Sequence, residues 1–355
     1  MKAYKLSIFI SLSFLLFACQ KEDITGKLNQ EGIDDFSSSG LTINSILTDK
    51  DGKKWIGTTT GLYSYDNKNW VKYTDEELNT EILCLAQSSD ETIWTGTKKG
   101  IISLKVSEQQ HEISDTYNRL NSSIISDTIN YIKEDPFGNT WFCTYKGLYF
   151  HNESLVKEKF PFLLNTTYTS ISFNGNQYFA TALRRFLFNC DYDHSINAIT
   201  GATQLANGYN GDYTEGNVFC SLVDSDGYLW FGTKRGLTRN KNGTYVGTGD
   251  FRYFFGGEKV LCLYEAANRD IWVGKETGVS VYDGSEWKNY TLSNGPTHIT
   301  YHLKFPEEIV VADRIQAQGL IDTLVYSISE DTDGSIWVGT EKGISVFDGE
   351  KWTGL

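Results

Sequence analysis

Asp331-Thr332-Asp333-Gly334-Ser335-Ile336-Trp337-Val338-Gly339-Thr340-Glu341-Lys342-Gly343-Ile344 reads as a hairpin turn, a strand, and a second turn into another strand. Asp and Gly form the first turn, and β-branched and aromatic residues favour the strand that follows. The core phrase, Trp-x-Gly-Thr-x-x-Gly, recurs. Complete or nearly complete copies centre on Trp55, Trp94, Trp141, Trp230, Trp272 and Trp337, and a weaker copy runs from Tyr178 through Ala180-Thr181, which makes seven. The third residue is Gly57, Gly96, Cys143, Ala180, Gly232, Gly274 or Gly339, and the seventh is glycine in every copy except the weak one. Twelve residues before each strong Trp stands a β-branched residue, Ile43, Ile82, Ile129, Val218, Val260 or Val325, which begins strand a. The Trp lies on strand b. Strand c follows the second glycine, as in Leu62-Tyr63-Ser64-Tyr65, and Trp70, Trp287 and Trp352 mark strand d, each 15 residues after its own strand-b Trp.

Intervals of 39, 47, 37, 52, 42 and 65 residues between successive copies each fit one four-stranded blade with its loops. The expected fold is all-β, a seven-bladed β-propeller of four-stranded antiparallel blades over residues 41–355. The alternative is eight blades, with a degenerate one around Ile299 to Asp313. Trp352 already supplies strand d of the last blade, so closure needs no N-terminal strand, although Ile33 to Phe36 has strand character and fits along the edge.

Composition sets the class. The 355 residues are 22% charged, 40% hydrophobic and 14% aromatic, as in a folded body able to bury a large core. A net charge of −13 disfavours nucleic acid, which needs a basic face. Residues 1–18 carry Lys2 and Lys5 ahead of an apolar stretch too short to span a bilayer, a signal-peptide pattern. Without Lys2 and Lys5, 30 of the 32 basic residues face 45 acidic ones, a mature charge of −15. Leu16-Phe17-Ala18-Cys19 resembles the lipobox of bacterial lipoproteins, which implies cleavage before Cys19 and acylation of its thiol. Residues 19–40 are then a lipidated tether, and the lipid is the only membrane attachment expected. Lys21-Glu22-Asp23 resembles the export signal of Bacteroidota surface lipoproteins, which implies an outer-membrane lipoprotein at the cell surface. A periplasm-facing orientation is the alternative.

The extended phrase Asp-x-x-Gly-x-x-Trp-x-Gly-Thr-x-x-Gly-Leu/Ile resembles the two-component regulator propeller repeat, over about residues 41–355. That resemblance implies a propeller that presents one face to ligands or partners, as in the sensor regions of Bacteroidota hybrid histidine kinases. Those sensors continue into a second propeller, a membrane helix and a kinase, so their signalling role is not carried over.

Chemistry is sparse in the sequence. Cys84, Cys220 and Cys262 each lie ten residues before a Trp, where Ser45 and Ser327 stand in other copies, and read as small fillers on the inner strands, as does Cys143 at a glycine position. No C-x-x-C occurs, so neither a disulfide framework nor zinc is expected. His298 and His302 lack an acidic or Cys partner at ligand spacing, and the Asp-x-Asp-Gly turns lack the Glu of a calcium loop. No metal and no cofactor are expected. Streptogramin lyase is a propeller whose chemistry needs a His with an acid-held magnesium, and no matching constellation is found.

The b-to-c turns hold Lys98, Lys99, Lys146, Arg184, Arg185, Lys234, Arg235, Lys275 and Lys342 against Glu276 and Glu341. A propeller gathers these turns on one face, so the reading is a basic, anion-attracting channel mouth, with solvated surface lysines as the plainer reading. The d-to-a connections reach the same face, and long loops on a rigid scaffold often bind. Tyr145, Tyr209, Arg252 and Tyr253 are candidates for contact with a flat sugar face; strand-d packing is the other reading of Tyr253. The ligand-binding set is therefore Lys98, Lys99, Tyr145, Lys146, Arg184, Arg185, Lys234, Arg235, Arg252 and Tyr253. The functional expectation is a binding module for a glycan fragment or an envelope protein rather than a catalyst. A lyase or hydrolase at the channel mouth is the alternative.

Overall fold

The computed structural model describes residues 30–33, 40–106, 111–152, 154–157, 167–182, 186–193, 198–204, 217–241, 252–254, 258–292 and 314–355. The strands assort into seven sheets, and in each the strands a, b, c and d follow one another antiparallel. The inner strands, a, are Ile43–Thr48, Ile82–Gln87, Ile129–Glu134, Tyr168–Asn174, Val218–Val223, Val260–Glu265 and Val325–Glu330, which begin blades 1 to 7 in that order. Each lies against strand a of the next blade, and that of blade 7 lies against that of blade 1, so the cycle is closed. The arrangement is a β-propeller. Blade 7 takes all four strands from 325–354, ending with Trp352–Gly354 as strand d. Gln30–Ile33 pairs antiparallel with strand d of blade 1, Trp70–Tyr73, so part of the 19–40 segment is a fifth, outer strand of that sheet. Arg314–Gln316 adds a parallel edge strand to blade 6. The alternative blade around Ile299 to Asp313 lies outside the described residues.

The repeat phrase has a physical reason at every position. The Asp at the start of the a-to-b turn caps the hairpin: Asp49 Oδ1 accepts from the amides of Asp51 and Lys53 at 3.0 and 2.9 Å, and Oδ2 accepts from Trp55 Nε1 at 2.9 Å. Trp141 and Trp230 donate in the same way to Asp135 and Asp224, at 2.8 and 2.7 Å. These carboxylates are engaged within the hairpins, which bears on the turn reading of the Asp-x-Asp-Gly segments. The strand-b Trp then packs across the joint between blades: Trp230 meets Trp287 at 6.4 Å and Trp272 meets Trp352 at 6.3 Å, both edge-on.

The glycine two residues after the Trp makes room for the next blade. A Cβ on Gly57 would stand 2.7 Å from Ile82 Cγ2, and one on Gly232 or Gly274 would stand 2.6 Å from Val260 or Val325 Cγ1. The β-branched start of strand a therefore fits into the gap left by the glycine of the blade before it. Where blade 3 has Cys143 instead, the residue in the next blade is Tyr168, which is unbranched at its Cβ, and both are buried in one cluster.

Blade 4 corrects the reading of the weak copy by one residue. Its a-to-b hairpin turns tightly, with Asn174 opposite Gln177, and the register pairs Ser170 with Thr181. Ser45 pairs with Gly57 in the same way in blade 1, two residues after Trp55. Thr181 therefore takes the glycine position and Phe179 the Trp position, while Tyr178 faces blade 3 and lies 5.4 Å from Trp141. Phe179 is buried with Val218 of blade 5, as the equivalence requires.

Candidate functional site

The b-to-c turns are built alike. The Thr ending strand b donates Oγ1–H to the carbonyl of the glycine three residues on: Thr97 to Gly100 at 3.0 Å, Thr144 to Gly147 at 2.8 Å and Thr233 to Gly236 at 2.9 Å. The same oxygens accept from the amides of Lys99, Lys146 and Arg235 at 2.8, 3.1 and 3.1 Å. Gly100, Gly147 and Gly236 have φ of 132°, 115° and 140°, a region L-residues avoid. This turn pushes the two residues between Thr and Gly outward, and Lys98, Lys99, Tyr145, Lys146, Lys234 and Arg235 are all exposed. The end of each d-to-a connection meets the following turn: Tyr145 N donates to Thr128 O at 3.0 Å, and Lys234 N to Asn217 O at 3.0 Å. Turns and connections thus share one face.

The charge of that face differs from the expected basic ring. Lys275 is no rim residue. It takes the Thr position of blade 6, is buried, and binds Glu258 at 2.7 Å. Lys98 pairs with Glu81, and Lys342 with Asp322 at 3.4 Å. Arg119, in the connection from blade 2 to blade 3, binds Asp127 at 2.7 Å. The carboxylates all come from the d-to-a connections. Lys99, Lys146 and Lys234 make no ion pair among the described residues and carry the basic character that remains.

The connection 118–128 adds features the sequence does not announce. It arches from the b-to-c turn of blade 2, where Gly100 abuts Tyr117 and Asn118, to that of blade 3. Asn118 O accepts from Ser122 N at 3.0 Å, and Ile125 N donates to Tyr149 Oη at 3.0 Å, which fixes the loop to blade 3. Burial pushes the Tyr149 phenol above its ordinary value, so it stays a neutral hydroxyl. The loop exposes Leu120 at 95% and Ile125 at 40%, beside Tyr145 at 51%. Leu120 and Ile125 therefore belong to the connection between the lysine-bearing turns of blades 2 and 3, and Tyr145 to the second of those turns.

The family model for the two component regulator propeller matches residues 212–235 and 319–342, each the first hairpin of a blade with its approach. Two blades of the chain thus resemble the two component regulator propeller repeat. Its fold is similar to the extracellular domain of BT4673 from B. thetaiotaomicron, described as a hybrid two-component system, at 19% identity and TM-score 0.61, over 90% of this chain and 39% of that one. The chain thus spans about two fifths of that extracellular domain. Virginiamycin B lyase from Staphylococcus aureus aligns at 14% identity and TM-score 0.62, over 90% of this chain and 99% of that one. PorZ, a surface component of the type-IX secretion system of Porphyromonas gingivalis, aligns at 13% identity and TM-score 0.65, over 86% and 46%. No curated protein sequence matches the chain.

The remaining candidates are placed as follows. Arg252 and Tyr253 lie in strand d of blade 5, opposite Arg239 and Thr238, so they belong to the outer edge of a sheet and not to a loop at the mouth. Arg184, Arg185, Tyr209, His298, His302 and Cys19 lie outside the described residues. Cys84, Cys143, Cys220 and Cys262 are free thiols. Cys84 Sγ donates to Ile129 O at 3.7 Å, where Ser45 Oγ accepts from Leu85 N at 3.1 Å one blade earlier, so these small residues stitch neighbouring inner strands. Burial pushes the Cys262 thiol up to about 12, which suits packing rather than nucleophilic work.

Proposed function

We propose that this chain is a lipid-anchored, seven-bladed envelope propeller that binds an acidic ligand non-catalytically on its loop-rich face. The carrying observation is the joint of blades 2 and 3, where Lys99 and Lys146 accompany exposed Leu120, Ile125 and Tyr145. Lysines give steering and orientation toward an anion. The apolar groups give desolvated contact, which rim charges alone do not supply. A glycan fragment with acidic sugars fits both, its carboxylate to a lysine and its flat face to Tyr145. A partner protein of the envelope is the second reading, favoured by Leu120, whose near-complete exposure suits a pocket in another protein. Acylation at Cys19 would hold this face at the membrane surface, and the envelope location of the similar sensor domains supports that reading.

The test is a glycan-array screen of the mature protein, with acidic and neutral oligosaccharides side by side, repeated with Tyr145→Ser and Leu120→Ser. Binding to acidic members that weakens in the Tyr145 variant supports the glycan reading. Capture of an envelope protein that depends on Leu120, with an empty array, moves the conclusion to the second reading. No binding of either kind ends the proposal.

A further inference from the structure

The N-terminal chain joins the ring at its loop-rich end. Strand d of blade 1 runs from Trp70, after the c-to-d turn, to Tyr73, where the connection to blade 2 begins. Gln30–Ile33 lies antiparallel beside it, with Ile33 opposite Trp70 and Gln30 opposite Tyr73. Ile33 packs on the cluster of Ile43, Ile46 and Trp337, which fixes this strand at the joint of blades 7 and 1. The chain N-terminal to Gln30 is therefore attached at the end that bears the d-to-a connections, away from the a-to-b turns.

The length of that chain sets which end can face an anchor. Eleven residue steps separate Cys19 from Gln30, an extended reach of at most about 40 Å. To turn the opposite end toward a bilayer, such a tether must run back along a blade, whose strands of five or six residues span roughly 17–20 Å. The loop-rich end needs no such detour. Charge favours the same orientation. Lys99, Lys146 and Lys234 are exposed at the loop-rich end, while Asp51, Asp226 and Asp333 stand exposed in the a-to-b turns of the other. The exposed carboxylates of the loop-rich end, among the described residues, are Glu76 in the connection of blade 1 and Glu276 and Glu341 in the turns of blades 6 and 7. The basic sector is thus that of blades 2, 3 and 5. Within it Leu120 is an aliphatic group free to enter the acyl boundary, and Tyr145 is an aromatic hydroxyl suited to the headgroup layer.

We propose that the acidic ligand of the loop-rich face is the anionic headgroup layer of the bilayer that carries the anchor, docked on the joint of blades 2 and 3 through Lys99, Lys146, Leu120 and Tyr145. This rests on the reading of that face as anchored and anion-binding. The lysines attract the anionic surface over a short, salt-dependent range, and the apolar groups hold the contact once made. A soluble acidic sugar is then a competitor for the same lysines. With the lipid at one point and this sector at a second, the propeller stands with its a-to-b end toward solvent.

The experiment uses the mature chain, residues 19–355 carrying Cys19→Ser, so that neither leader nor lipid contributes. It is sedimented with phosphatidylethanolamine vesicles prepared with and without phosphatidylglycerol. Binding to the phosphatidylglycerol vesicles is expected, about ten-fold or more weaker for Lys99→Ser/Lys146→Ser/Lys234→Ser, and weaker also for Leu120→Ser. On those vesicles Lys99 and Lys146 are expected to be protected from an amine-acylating reagent, while Lys68 and Lys351, exposed in the c-to-d turns of the other end, are labelled as in solution. That footprint of the unsubstituted face decides alone if a variant fails to fold. Equal binding to both kinds of vesicle, protection of Lys68 and Lys351 instead, or no vesicle binding overturns the proposal. No vesicle binding together with capture of a free uronic-acid oligosaccharide leaves the anion-binding reading in place, and Leu120-dependent capture of an envelope protein turns the face to a protein partner. Failure of every probe removes that reading as well.

Discussion

Ile43 fills the space a side chain on Gly339 would need: a Cβ built on the glycine would stand 2.6 Å from Ile43 Cγ2. The two residues are almost 300 positions apart, and their contact joins blade 7 to blade 1. Ile46 N donates to Ser327 Oγ at 2.8 Å and Thr48 N to Ser329 Oγ at 3.2 Å across the same joint. Closure is therefore non-covalent and uses the same glycine-and-branched-residue fit as the other joints.

Gly339→Ala should destabilise the protein by about 1–3 kcal/mol, because the added methyl overpacks a joint fixed by the ring. Gly32→Ala, with nothing within 4 Å of its Cβ, should change little. Chemical denaturation of both variants checks this, and Gly339→Ala combined with Ile43→Ala should cost less than the sum of the two single changes.

The joint also contains a buried ion pair. Lys54 is fully buried and pairs with Asp331, and its Nζ also donates to Gly52 O at 2.8 Å and Asn67 Oδ1 at 2.9 Å. Trp337 Nε1, whose counterparts in other blades donate to the equivalent Asp, has no hydrogen-bond partner among the described residues. Asp331→Leu should therefore cost roughly 3–5 kcal/mol, since it strands a buried ammonium. Lys54→Met should cost less, because the freed Asp331 carboxylate can accept from Trp337. Equal losses in denaturant titrations would show that the indole does not take up the carboxylate.

Trp94→Ala should cost roughly 3–5 kcal/mol, as it empties a site where the indole meets Phe142 at 5.2 Å and donates to Ser88 Oγ at 3.0 Å. Lys98→Ala, an exposed group paired with Glu81, should stay within about 0.5 kcal/mol. Thermal unfolding distinguishes the two.

Much of the fold is legible because the phrase couples local turn chemistry to packing between blades, so the periodic Trp and Gly report a tertiary constraint. Blade 4 slips by one residue because its hairpin is shorter and its Trp and Gly are replaced by Phe179 and Thr181, which leaves only Tyr178 looking like an anchor. The basic turns are legible as well, but their partners Glu81, Glu258 and Asp322 come from connections without a period. Leu120 sits in a polar Asn-Arg-Leu-Asn-Ser run, and only the folded loop shows that it faces water.

A pH dependence follows from His111, whose Nδ1 lies 3.1 Å from Tyr73 Oη and whose Nε2 lies 3.5 Å from Lys53 Nζ. Burial, aided by Lys53, lowers it to about 4. The unfolded chain binds a proton near pH 6.5 and the folded chain does not, so this contribution is complete above pH 6.5 and is lost as pH falls toward 4. Melting temperatures at pH 7 and pH 5 should drop further for wild type than for His111→Gln.

The central claim, that the loop-rich face binds an acidic ligand, is tested most directly by association kinetics of a uronic-acid oligosaccharide with wild type and with Lys99→Ser/Lys146→Ser/Lys234→Ser. The account predicts unchanged unfolding, a several-fold slower association for the triple variant at low salt, and convergence of the two proteins as salt screens the face over a Debye length of about 8 Å. Association as fast in the triple variant as in wild type at low salt would contradict it.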